Sequence, residues 1–110
     1  RVGSASMNEL TLARLTLVFP PVLEARVVRL MLEQEPPLPG FTVLAAEGHG
    51  ADFARASIRE QVRGRVARRL LTLVLPLTRA EALIAQLREE LANGESAWWL
   101  EPVLAFGRLA

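Results

Sequence analysis

The single histidine of the chain, His49, stands between two glycines and is the residue best suited to bind a metal ion. A neutral imidazole is a common ligand of divalent transition metals, and flanking glycines let the backbone turn sharply beside a ligand. Glu47, Asp52 and Glu60 could add oxygen ligands from this chain or from a neighbouring copy. The alternative is a turn histidine that packs locally, because scattered carboxylates lack the clustered spacing of a dedicated site. The sequence therefore gives a metal-site hypothesis at His49 and Glu47.

Arginines are concentrated in the stretch that follows His49. The guanidinium group forms paired hydrogen bonds with phosphate and carboxylate groups. Arg63 and Arg65 flank Gly64, so a nucleotide or another small anion could bind there. The alternatives are a solvated loop with weak Arg–Glu pairs, or a loop that docks on an acidic partner through Arg55 and Arg59. The stretch contains Arg55, Arg59, Arg63, Arg65, Arg68 and Arg69, and the predicted ligand-binding residues are Gly48, His49, Gly50, Arg63, Gly64 and Arg65.

Missing residue types exclude several kinds of chemistry. The chain has no Cys, and all 13 basic residues are Arg. Thiolate metal sites, cysteine nucleophiles and Schiff-base lysines are therefore excluded. Ser57 has no histidine near it in sequence, so a catalytic triad is not indicated. The net charge is only +1, and the arginine-rich stretch lacks interleaved aromatic residues, which argues against nucleic-acid binding. We therefore expect a cytoplasmic protein that is not an enzyme.

Hydrophobic periodicity predicts six elements that must position these residues. An alternating strand is followed by Pro20-Pro21 and an amphipathic helix, and a second helix is predicted to begin at an N-capping Thr78 with Glu81 completing a capping box. The predicted strands span residues 10–19, 41–47, 65–75 and 97–105, and the predicted helices span 22–35 and 78 to the Asn93-Gly94 stop. This β-α-β-β-α-β order predicts an α+β ferredoxin-like fold, with a four-stranded antiparallel sheet and both helices on one face.

The strands predicted for the centre of the sheet are apolar on both faces. In the strand at 65–75, one side carries Leu71, Leu73 and Leu75, and the other carries Leu70, Thr72 and Val74. A half-exposed antiparallel strand would instead alternate between apolar and polar residues. Since helices cover only one face, we expect self-association to cover the other.

Trp98 and Trp99 are adjacent, so in a strand their side chains face opposite sides of the sheet. We expect one in the core and the other at an interface or in a ligand cleft.

The chain is long enough for one domain. Residues 1–6 have the composition of an expression remnant ahead of Met7, and residues 7–110 are predicted to form a single domain with a long loop at about 48–64.

Four segments of the sequence carry a family resemblance. The GHG turn and the VRGR step, which bracket the arginine-rich loop, are its most specific parts. The segments are FPPVLEARVVRLMLEQ (19–34), GFTVLAAEGHG (40–50), EQVRGRVARRLLTLVLP (60–76) and WWLEPVLAFGRL (98–109). They resemble a bacterial branch of the PII-like (nitrogen regulatory protein PII) superfamily, whose members often accompany metal-efflux or transport genes. The resemblance implies a homotrimer with inward-facing sheets, ligands in clefts between subunits, and a flexible loop (the T-loop) that contacts a partner.

The chain also departs from that superfamily. It has no Lys and no Tyr, so the ATP contacts and the tyrosine uridylylation of PII proteins cannot be carried over. The leading hypothesis is a regulatory protein that senses a small anion or a metal ion and controls a membrane transporter or efflux protein through its loop. One alternative is a CutA-like metal-tolerance protein that depends on His49. Another is a small dimeric oxygenase that needs no cofactor, against which the missing Tyr counts.

Overall fold

The computed structural model describes residues 11–49, 66–92 and 94–110. Four strands and two α-helices make up this part of the chain. They are β1 (Leu12–Phe19), α1 (Glu24–Leu32), β2 (Thr42–Gly48), β3 (Val66–Pro76), α2 (Leu77–Glu90) and β4 (Ala97–Val103), with a single 3-10 turn at Pro21–Leu23 before α1. Within the described ranges, no helix combines the length and apolar character needed to cross a bilayer.

The four strands form one antiparallel sheet in the order β2-β3-β1-β4. Leu15 of β1 lies opposite Leu73 of β3 on one side and opposite Leu100 of β4 on the other. Val43 of β2 lies opposite Leu71 of β3. The long strands β1 and β3 are therefore central, as the ferredoxin-like prediction requires, and this fold class is confirmed.

The main core lies between the sheet and the helices. The fully buried leucines Leu15, Leu71 and Leu75 point from the central strands into this layer. Helix α1 contributes Val27 and Met31 to it. On α2 the inward positions recur at helical spacing, at Ala80, Leu83, Ile84 and Leu87. The helical periodicity read from the sequence is thus confirmed at both helices.

The predicted N-cap of α2 is wrong. The helix begins at Leu77, directly after β3, and its N-cap is Pro76 with extended backbone angles (φ −58°, ψ 139°). The Leu77 N–H donates to the Thr11 carbonyl at 2.8 Å, so the neighbouring strand satisfies one of the free donors at the helix start. No side chain caps the helix at that position. A proline that ends a strand and a tertiary hydrogen bond therefore replace the Thr78–Glu81 capping box.

Polar contacts tie α1 to its neighbours. Arg69 Nε of β3 donates to Glu24 Oε1 in the first turn of α1 at 2.8 Å. Arg26 Nη2 donates to the Glu90 carbonyl at 3.0 Å, which places a cation at the C-terminal end of α2, where the helix dipole favours it. These contacts fix the helix layer over the sheet.

Candidate functional site

The loop predicted to bind ligands leaves the sheet at one end, between β2 and β3. Gly48 lies opposite Val66 in the sheet register, and both residues are buried. His49 follows and is exposed. The predicted ligand residues Gly50, Arg63, Gly64 and Arg65 and the predicted partner-contact residues Arg55 and Arg59 lie outside the described residues, so those assignments stay predictions.

The metal hypothesis at His49 has little support from the described part of the chain. Glu47 is exposed and lies opposite Ala67. Across residues 11–49, 66–92 and 94–110, no group of three or more histidine, cysteine or acidic residues is placed to hold a metal ion. Asp52 and Glu60, the other carboxylates considered, lie outside these ranges. The metal site at His49 and Glu47 therefore stays a prediction.

Two arginines of the basic stretch have structural contacts. Arg69 is held by Glu24 of α1, as described above. Arg68 is 95% buried and donates from Nη1 to the Ala67 carbonyl at 2.8 Å. The basic stretch is therefore not uniformly a ligand surface, since its C-terminal pair belongs to β3.

On its second face the sheet carries no helix from residues 11–49, 66–92 or 94–110, and we call this the open face. It presents the central residues Thr16 and Val18 of β1 and Leu70 and Thr72 of β3, with Leu44 of β2 and Trp99 of β4 at the flanks. Leu44 is 53% exposed and Trp99 is 41% exposed. Leu70 and Val74 of β3 lie on this face with Thr72 between them, as predicted. Apolar side chains adjoin one another across β2, β3 and β1, where Leu44 lies opposite Leu70 and Leu70 lies opposite Val18.

An ion pair lies on the open face beside Trp99. Arg14 donates to Glu101 Oε1 from Nε at 3.0 Å and from Nη2 at 2.6 Å, and Trp99 Nε1 donates to the same oxygen at 3.2 Å. The hydrogen bond from Arg14 lowers the pKa of the Glu101 carboxyl, against a smaller opposing effect of desolvation, and the Trp99 indole adds to the lowering. This cluster links β1 to β4 and fixes the Trp99 ring over the sheet.

The two tryptophans face opposite sides of the sheet, as predicted. Trp99 lies opposite Thr16 on the open face, and Trp98 lies opposite Leu17 on the helix side. The expectation that one of them is in the core is wrong, because Trp98 is 44% exposed. Trp98 is exposed because it lines a cavity and is not enclosed by core side chains.

That cavity has a volume of about 420 Å³. It lies where the C-terminal end of β1, the start of α1, the end of α2 and the start of β4 meet. Because β1 and β3 are antiparallel, this is also the end of the sheet where the β2–β3 connection leaves at Gly48 and returns at Val66. The residues that line it include Leu17, Phe19, Val27, Ile84, Leu87, Arg88, Leu91, Ser96 and Trp98.

The cavity and two polar residues in its lining, Arg88 and Ser96, were not predicted from the sequence. Arg88 is in the last turn of α2, where a charged side chain is usually solvated, and Ser96 lies in the short connection between α2 and β4. The only available signal was the unusual Trp98-Trp99 pair immediately after that connection.

Comparisons with known proteins agree with this architecture. The family model described as DUF3240, a protein family of unknown function, matches residues 10–110. The crystal structure of a DUF3240 family protein from Shewanella baltica superposes with a TM-score of 0.71 at 21% identity, covering 91% of this chain and 98% of that one. A protein from Thermus thermophilus, classified provisionally as a PII-like signalling protein, gives a TM-score of 0.54 at 26% identity, covering 86% of this chain and 88% of that one. No curated protein matches the chain. The ferredoxin-like sheet is therefore of the PII-like kind.

Proposed function

We propose that this chain, which belongs to the DUF3240 family, is a PII-like regulatory protein that senses a small anionic ligand or a metal ion. The main observation in support is the structural similarity between 86% of this chain and the T. thermophilus protein that is provisionally classified as PII-like.

The open face supports a regulator built from several copies. On the open face the large apolar side chains of Leu44 and Trp99 lie partly in water, and exposed apolar groups on a sheet face favour an interaction site there. A second copy of the chain offers the same surface, so a closed symmetric assembly covers it without another element. We propose a homotrimer with its sheets facing inward.

The β2–β3 connection is the proposed reporting element. Its ends are fixed at Gly48 and Val66 in the sheet, while Arg63 and Arg65, which flank Gly64, supply guanidinium groups suited to an anion. A ligand that binds one loop conformation more tightly than the others shifts the population toward it. A membrane transporter or efflux protein that contacts the loop through Arg55 and Arg59 would then read the change. The single His and the absence of Cys and Lys support a sensor rather than an enzyme.

The proposal is tested by thermal melting of the purified protein against adenine nucleotides and first-row divalent metals. A ligand that binds only the folded state at a hundredfold excess over its Kd stabilises the protein by about 2.7 kcal/mol. In a domain of this size we expect the melting temperature to rise by roughly 10 °C or more. The paired variant Arg63→Gln/Arg65→Gln should lose a nucleotide response, while Arg29→Gln, on the exposed side of α1, should keep it.

The metal arm of the same experiment separates the alternative function. A shift with a divalent metal that disappears in His49→Ala would support CutA-like metal binding in place of nucleotide sensing. If no ligand in either panel moves the melting temperature, the sensing proposal is refuted for these ligands.

A further inference from the structure

We propose that the cavity lined by Trp98 is a binding site for an amphipathic anion, a small molecule with an apolar body and one carboxylate or sulfonate group. The proposal rests only on described residues and is independent of the β2–β3 loop and of the regulatory function. It concerns the space between the helices and the β1–β4 half of the sheet.

The size of the cavity fits a small organic ligand. Its volume of about 420 Å³ lies within the roughly 300–1,000 Å³ of typical ligand pockets. It is formed by secondary structure on several sides, namely β1, β4, α1 and α2. A site of this kind exists before the ligand arrives, so little of the binding free energy is spent on ordering the protein.

The inner wall of the cavity is apolar. Leu17 and Phe19 of β1, Val27 of α1 and Ile84 and Leu87 of α2 all line it, and each is at least 90% buried. Apolar cavities bind apolar molecules in preference to water, because water finds too few hydrogen-bond partners there. The body of the ligand is therefore a short alkyl chain or an aromatic ring.

Two polar groups in the lining supply the contact for a headgroup. Arg88 is exposed and forms no hydrogen bond or ion pair with any residue that the structure describes. A carboxylate or sulfonate would accept hydrogen bonds from the Arg88 guanidinium, whereas a cation would meet its positive charge. The Ser96 hydroxyl is shielded from solvent and has no hydrogen-bond partner within the described residues, so it would donate to the headgroup after its side chain rotates toward the cavity.

Trp98 gives the test a specific signal. The protein contains two tryptophans, and their indole rings lie on opposite faces of the sheet. In ¹H–¹⁵N spectra of the protein their two indole N–H signals are assigned with the variants Trp98→Phe and Trp99→Phe. We expect titration with octanoate to move the Trp98 signal and to leave the Trp99 signal in place.

The role of Arg88 is tested with octanoate and 1-octanol, which share the apolar chain but differ in charge. We expect Arg88→Leu to weaken octanoate binding at least 10-fold and to leave octanol binding within about 3-fold, while Arg29→Leu, on the outer side of α1, changes neither. Retained octanol binding shows that the variant is folded and that its cavity is intact.

Three results would overturn the proposal. One is a Trp98 signal that does not move with octanoate. Another is movement of the Trp99 signal alone, which would place the ligand on the open face. The third is an equal loss of octanoate and octanol binding in Arg88→Leu, which would remove the role of the charge.

Discussion

Replacing Leu44 with alanine tests whether the open face joins copies of the chain. Leu44 lies on β2 opposite Leu70, at the flank of the apolar surface. It contributes little to the core of its own chain, since it is 53% exposed there. If a neighbouring copy covers it, the substitution weakens the assembly much more than it weakens the single chain.

The expected loss follows from the exposed fraction. Full burial of a leucine side chain stabilises by about 1.5–3 kcal/mol. Covering the exposed half of Leu44 is therefore worth about 1 kcal/mol per chain. In a trimer the substitution is present in every copy, so the total loss is about 3 kcal/mol, or roughly 100-fold in the overall association constant.

Sedimentation velocity over a dilution series measures this change. We expect Leu44→Ala to dissociate at a higher protein concentration than the wild type. Leu32→Ala is the matched control, since Leu32 is also a largely exposed leucine, 70% exposed on α1, but lies in the helix layer. An unchanged dissociation midpoint in Leu44→Ala would refute an interface at the open face, and a wild-type protein that stays monomeric at all concentrations would refute self-association altogether.

Three further predictions concern the stability of the chain at fixed protein concentration. Leu15→Ala should cost about 2–5 kcal/mol and lower the melting temperature by roughly 10–20 °C, because Leu15 is fully buried; a shift below about 5 °C would contradict its place in the core. Thr72→Val should keep or raise the melting temperature, because the Thr72 hydroxyl is buried without a hydrogen-bond partner in the described structure, and a clear decrease would show that the hydroxyl has one. The pKa of Glu101 is lowered in the folded state, so its stabilising contribution is present at neutral pH and is lost as the pH falls below its ordinary value of 4.5. The difference in melting temperature between wild type and Glu101→Gln should therefore shrink between pH 7 and pH 3, and a constant difference would show that the ion pair with Arg14 does not stabilise the fold.

The fold could be predicted from the sequence because local periodicity and tertiary burial agree. Alternation in β1 and β3 and the 3.6-residue stripe of α1 each identify residues that are buried in the structure, such as Leu15, Leu71 and Met31. Helix boundaries were less predictable. Threonine is a residue type favoured at N-caps, but the helix begins after Pro76 instead of Thr78, and the Thr11 carbonyl accepts a hydrogen bond from its first N–H. A contact between residues so far apart leaves no signal in the local sequence.

The cavity could not be predicted for a related reason. Its polar residues, Arg88 on α2 and Ser96 in the connection to β4, line one cavity only after α2 has packed on the sheet. Periodicity assigns each residue to a face of its own element, but it does not report whether two facing surfaces fill the space between them. The side of the sheet on which Trp98 lies was predictable, and the incomplete packing around it was not.

Because side chains alternate between the two faces along β4, ligand binding in the cavity and self-association through the open face can be tested separately. Trp98 lines the cavity on the helix side, whereas Trp99 lies on the open face beside Arg14 and Glu101. Successive side chains in a strand point to opposite faces, so a substitution at one tryptophan leaves the other surface chemically unchanged. Trp98→Phe should therefore alter ligand binding in the cavity without moving the dissociation midpoint, and Trp99→Phe should do the reverse. A variant that changed both would mean that the two faces are coupled through β4, and the cavity and the open face would then have to be treated as one site.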